Sequence, residues 1–191
     1  MKKLLKLMLC GLLTVTALAG CGPKDSENPG TGLIDEIDTS TVGGTLYQEF
    51  MKYTTENPDK TAFDIAQALA GNKSLPFAGG AMEVEAGTLA GFDNLEITGF
   101  EKGAMFSPMI GTIPFVGYIF QLGEDADVDA FMKTLEDNAN LRWNICTEAE
   151  ELTVEKNGNT VFFLMSPKAF ETEEVSDEEM QETLEDMEAA Q

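Results

Sequence analysis

The chain has 191 residues, with 34 Asp or Glu against 12 Lys or Arg, three cysteines and no histidine. A net charge of −22 repels polyanions, which argues against nucleic-acid binding and against polybasic attachment to anionic lipid. The absence of histidine removes Ser-His-Asp and Cys-His catalysis and the commonest zinc ligand, and with no GxGxxG, P-loop, GxSxG or CxxC motif in the chain neither a metal nor a cofactor is expected.

The chain opens with MKKLLKLMLCGLLTVTALAGC. Lys2, Lys3 and Lys6 give a basic start, Leu4 to Val15 an apolar segment, and Leu18-Ala19-Gly20 a small-residue exit. This pattern predicts a secretory signal peptide over residues 1–20 and not a structural helix. Its end, Leu18-Ala19-Gly20-Cys21, resembles the lipobox of bacterial lipoproteins. The resemblance implies cleavage before Cys21, a diacylglyceryl group on its sulfur, and an extracytoplasmic protein anchored to the bacterial membrane by lipid. Beyond residue 20 the chain keeps nine basic and 34 acidic side chains, a net −25, so attachment has to come from the lipid. Cys10 falls in the signal peptide and Cys21 is committed to lipid, which leaves Cys146 without a disulfide partner.

Residues 21–42 read as the lipidated N-terminus and a flexible linker, Gly- and Pro-rich at GPKDSENPGTG, with Leu33, Ile34, Ile37 and Val42 able to dock on the domain. A single domain is expected over 43–170. Leu46, Phe50 and Tyr53 recur at helical spacing before Pro58, and Phe63, Ala66 and Leu69 mark a second short helix capped by Asp59 or Thr61. Residues 72–80 read as loop, followed by an extended segment in which Met82 and Val84 alternate with Glu83 and Glu85, and by another from Leu95 to Phe100. The apolar run Ala104–Leu122 contains Pro108, Gly111, Pro114 and Gly117 and lacks basic flanks, so it predicts a buried strand pair and not a membrane span. Phe115–Leu122 is the expected central strand.

Val128, Phe131, Met132 and Leu135 give a helix one apolar face, with Asp125 or Asp127 at its cap. Asn157-Gly158 between β-rich flanks predicts a hairpin ending at Ser166-Pro167. Residues 171–191 hold ten Asp or Glu and no Lys or Arg. A capping box at Ser176 and Glu179 and a stripe of Met180, Leu184 and Met187 suggest a marginal acidic helix or a partly disordered tail. The fold class is therefore α+β: an antiparallel or mixed sheet of about five strands, one main helix packed on it, two short N-terminal helices and an acidic C-terminal helix.

Motifs that carry chemistry are few. Asp125, Asp127, Asp129 and Glu136 match an EF-hand loop at several positions, but the required glycine is Ala130, and the segment reads as the start of a helix. Cys146 reads as a small buried hydrophobe. Glu83, Glu85, Asp93 and Glu96 are candidates for a carboxylate pair, and Phe106, Phe115, Tyr118, Phe120 and Trp143 read as core more readily than as a ligand pocket. The order strand (Phe115–Leu122), helix (Val128–Asn138) and hairpin at Asn157-Gly158, behind a lipobox, is similar to uncharacterised lipoprotein domains of Gram-positive bacteria. That resemblance implies no activity. The expected function is a non-catalytic binding or accessory domain with the membrane, and a cationic or protein partner in the envelope, as its partners. The alternatives are a small carboxylate-based hydrolase and an acidic cation-binding surface protein.

Overall fold

The computed structural model describes residues 37–110, 112–144 and 146–170. The signal peptide, Cys21, Leu33, Ile34 and the acidic tail lie outside the described residues. Helices α1 (Val42–Glu56) and α2 (Ala62–Ala70) lead into strands β1 (Gly79–Val84), β2 (Gly87–Thr88), β3 (Glu96–Ile97), β4 (Lys102–Pro108) and β5 (Val116–Gln121). Helix α3 (Val128–Asn138) and the hairpin of β6 (Glu151–Asn157) and β7 (Thr160–Ser166) complete the domain. Five strands form one antiparallel sheet in the order β1-β4-β5-β7-β6, while β2 and β3 pair as a separate ribbon. This is the α+β architecture expected.

Side-chain alternation divides the apolar strands between two cores. Phe162 and Leu164 of β7, with Ile119 of β5 and Phe106 of β4, meet Leu46 and Phe50 of α1 and Ile65 and Leu69 of α2. On the other face Phe163 and Met165, with Tyr118 and Phe120, meet Phe131 and Leu135 of α3. Antiparallel sheets often leave one face to solvent. Here both are covered, which is why β5 and β7 are continuous apolar runs rather than alternating ones. Gly117 makes room for this packing, because a Cβ there would enter the Phe106 ring. The run 104–122 is thus a strand pair, and no helix among the described residues is long and apolar enough to cross a membrane.

Local signals set the helix ends. Thr61 accepts from the Asp64 amide while the Asp64 carboxylate accepts from the Thr61 amide, a reciprocal capping box. Asp127, rather than Asp125, caps α3 by accepting from the Ala130 amide at 3.0 Å. Pro58 lies just past α1, whose last turn closes on Asn57.

Four expectations need correction. Cys146 is exposed, and it is Ala149, three residues on, that is buried in the second core. The hairpin loop is Gly158-Asn159 and not Asn157-Gly158: Asn157 pairs with Thr160, and Gly158 alone supplies the positive φ of +60°. A two-residue loop with positive φ only at its first position is the type II′ pattern. Met82 is 54% exposed, since β1 is an edge strand and α3 does not reach it. Finally, the linker read over 21–42 ends earlier. Ile37 and Val42 pack on the first core, and Thr41 already caps α1.

One end of the sheet gathers several chain segments. Gly79 of β1 is paired with Pro108 of β4, and Val116 of β5 with Met165 of β7. At this end Thr39–Val42 and Lys168–Phe170 share a recess with Ser74 and Pro76. Phe77 stacks edge-on against Phe115 and Phe170, with ring centroids 5.1 and 5.6 Å away.

Candidate functional site

The sequence-predicted site residues do not converge. Glu83 is exposed on β1 and Glu96 on β3, in different sheets, and Glu85 is exposed between them. Asp93 sits exposed in a left-handed turn (φ +50°), its carboxylate accepting from the Asn140 amide nitrogen at 2.6 Å. This placement gives a hydrolase no inward-facing carboxylate pair. Asp127 is spent on the α3 cap, and Asp129 on the same helix pairs with Lys156. Among the described residues, no cluster of three or more acidic, cysteine or histidine side chains is placed to hold a metal. Phe106 and Phe115 lie in the first core, and Tyr118 and Phe120 in the second, with Trp143 half-buried at its margin. The Tyr118 hydroxyl donates to the Ala90 carbonyl at 3.0 Å, and burial pushes its pKa up. These aromatics are packing, as expected.

What the fold does assemble is a cleft between the first turns of α1 and strand β6, with a volume of about 420 Å³. The strand pleat points Glu151, Thr153 and Glu155 toward α1, because Val154 between them turns to the second core. Thr41 opens α1, accepting from the Gly44 amide at 3.1 Å and donating its hydroxyl to Glu151 at 2.8 Å. The second oxygen of Glu151 accepts from the Gly43 amide at 3.2 Å. A carboxylate at a helix N-terminus satisfies an orphan donor and complements the helix dipole. Gly43 is required at this contact, since a Cβ there would collide with Thr153 and Glu151. The Val42 amide is bound by the Lys168 carbonyl at 2.9 Å. The first-turn donors of α1 are therefore occupied by the protein itself.

Farther along the cleft, Tyr47 and Glu155 are each half-buried. Burial raises the Glu155 carboxyl above its ordinary value, with the negative charge of Glu136 adding to it. Burial also raises the Tyr47 phenol, with Glu155 as the secondary cause. Asp38 at the mouth is shifted the other way, held down by hydrogen bonds from Ser40. The ion pairs among the described residues are Lys133–Asp137, Arg142–Glu148 and Lys156–Asp129, and none reaches this cleft. The site is rich in acceptors and half-buried negative charge, so its chemistry suits hydrogen-bond donors and cationic groups.

Comparisons with models of known families, with characterised proteins and with solved structures give no match to this chain. The cleft was not legible beforehand, because its two walls are about a hundred residues apart. The one local hint was the alternation of Glu151, Thr153 and Glu155 with Leu152 and Val154.

Proposed function

We propose that this chain is a lipid-anchored extracytoplasmic protein whose α+β domain is a non-catalytic binding or accessory module for a cationic partner in the envelope. The observation that carries the reading is Leu18-Ala19-Gly20-Cys21 behind a basic and apolar leader. The strongly acidic remainder supports it, since such a surface finds no electrostatic hold on anionic headgroups and needs a covalent one. The acceptor-rich cleft at Tyr47, Glu151 and Glu155, which no Lys or Arg among the described residues pairs with, supports a cationic partner.

Intact-mass measurement on protein extracted from bacterial membranes tests the anchor. The native chain is expected to lack residues 1–20 and to carry diacylglyceryl on Cys21, while Cys21→Ser retains the leader and gains no lipid. A native protein recovered with an unmodified Cys21 overturns the reading.

A further inference from the structure

Among the exposed large hydrophobic residues, Ile110 is 88% and Met109 70% accessible, well above Met82 and Leu95. Single apolar side chains on a surface are ordinary. These two are adjacent, they project from the end of the β4–β5 hairpin, and no charged residue occurs anywhere from Gly103 to Gly123. The fold also holds them out. The Met109 amide donates to the Ala78 carbonyl at 2.9 Å, and the Met109 side chain lies against Gly80. Across the tip, the Thr112 carbonyl accepts from the Thr147 hydroxyl at 3.0 Å. A hairpin end tied on both sides displays Ile110 instead of folding it back.

The position of this tip relative to the chain ends is the second observation. It stands at the end of the sheet where Thr39–Val42 and Lys168–Phe170 share a recess with Ser74 and Pro76. Lys73 and Lys168 are exposed at that end. From Cys21 to Ile37 there are sixteen steps of chain, and a linker of the Gly- and Pro-rich kind read from the sequence would span roughly 20–24 Å over that length.

We propose that Met109 and Ile110 form a foot that rests in the interfacial zone of the bilayer to which the chain is tethered. This rests on the anchored reading above. A tether of that length keeps the domain within one domain width of the headgroups, and the effective concentration of surface is then in the millimolar range. Weak partitioning by two apolar side chains is enough under that condition. Most of the chain is acidic and is repelled by anionic lipid, whereas the hairpin end lies in an uncharged stretch, from Gly103 to Gly123, with Lys73 and Lys168 exposed at the same end of the domain, so it is the part the membrane accepts.

The test couples the protein to lipid chemically, so that it does not depend on acylation in the cell. The protein used is residues 21–191, the span expected after cleavage, which contains every described residue of both cores. With Cys146→Ser, Cys21 is the sole thiol of that span, and Trp143→Phe removes the sole tryptophan. An Ile110→Trp reporter is then joined through Cys21 to a maleimide lipid in phosphatidylcholine vesicles with brominated acyl chains. Its emission is expected to fall by roughly half on tethering, as shallow interfacial insertion requires. A Lys102→Trp reporter at the opposite end of β4 should keep its emission. Equal quenching at both positions, or none at position 110, overturns the foot, and the latter leaves the tip to a protein partner. An unmodified Cys21 in cell-derived protein fails the anchor alone and leaves this measurement standing.

Discussion

On one face of the sheet two helices lie across Phe106, Phe162 and Leu164, while on the other a single helix shares the covering with the connection from Thr88 to Glu101. The two-helix face is encoded locally, by apolar residues at helical spacing and by a capping box. The loop-covered face depends on contacts that no local pattern specifies. The Ala90 carbonyl receives the Tyr118 hydroxyl, the Gly91 carbonyl receives the Asn140 amide, and Phe92 and Ile97 drop into the core between them. Gly91 is buried at φ +96°, where a side chain would be strained and would also strike Met165. Equal burial is thus reached by two routes, one written in periodicity and one in single long-range bonds.

Neighbouring residues on β7 separate the two routes. Phe162→Ala and Phe163→Ala open opposite cores and should each cost about 3–5 kcal/mol in urea unfolding. They should differ in hydrogen exchange: Phe163→Ala releases the amides of residues 89–97 ahead of global unfolding, whereas Phe162→Ala leaves them protected. If both variants release the same amides, the faces are one cooperative unit and the contrast fails.

A smaller effect is expected at the α1–β6 clasp. Glu151→Ala removes the acceptor of the Thr41 hydroxyl and the Gly43 amide and should cost about 1–2 kcal/mol by the same unfolding assay. Glu151→Gln keeps an acceptor and should cost less. Equal losses for the two variants would mean that the charge, and not the hydrogen bonds, matters at this helix end.

The smallest effect is at Glu155, whose carboxyl is raised in the fold by burial and then by Glu136. A raised carboxyl favours the neutral form, so stability is greatest below the ordinary glutamate value of 4.5 and falls as rising pH charges the group inside the cleft. Glu155→Gln should therefore melt slightly above the native protein at neutral pH, with the gap closing as pH drops below that value. A gap independent of pH would assign the effect to packing. Because the group is half-exposed, solvent screening keeps it small.

Much of the fold was legible in the sequence. Leu46 and Phe50 on α1, Phe131 and Leu135 on α3, the Thr61 cap and the apolar run of β5 each carry a period or a terminator that local physics reads. The misreadings share a cause. Cys146, Met82 and the one-residue shift of the hairpin loop all depend on what lies opposite in space, and the residue type alone does not report that. The candidate site was the least legible part, since Tyr47 and Glu155 meet only after α1 has docked on a strand a hundred residues later. Its glutamates also stood among 34 acidic residues with nothing local to single them out.

The place of β7 in the sheet has a consequence for how the chain is made. It is the last strand of the described chain, yet it lies between β5 and β6 and supplies Phe162 and Leu164 to one core and Phe163 and Met165 to the other. A polypeptide emerging N-terminus first therefore cannot close either core until synthesis has passed Ser166. Up to that point the partners of β7 in both cores lack the strand they pack on, so closure of either core is a late event in synthesis.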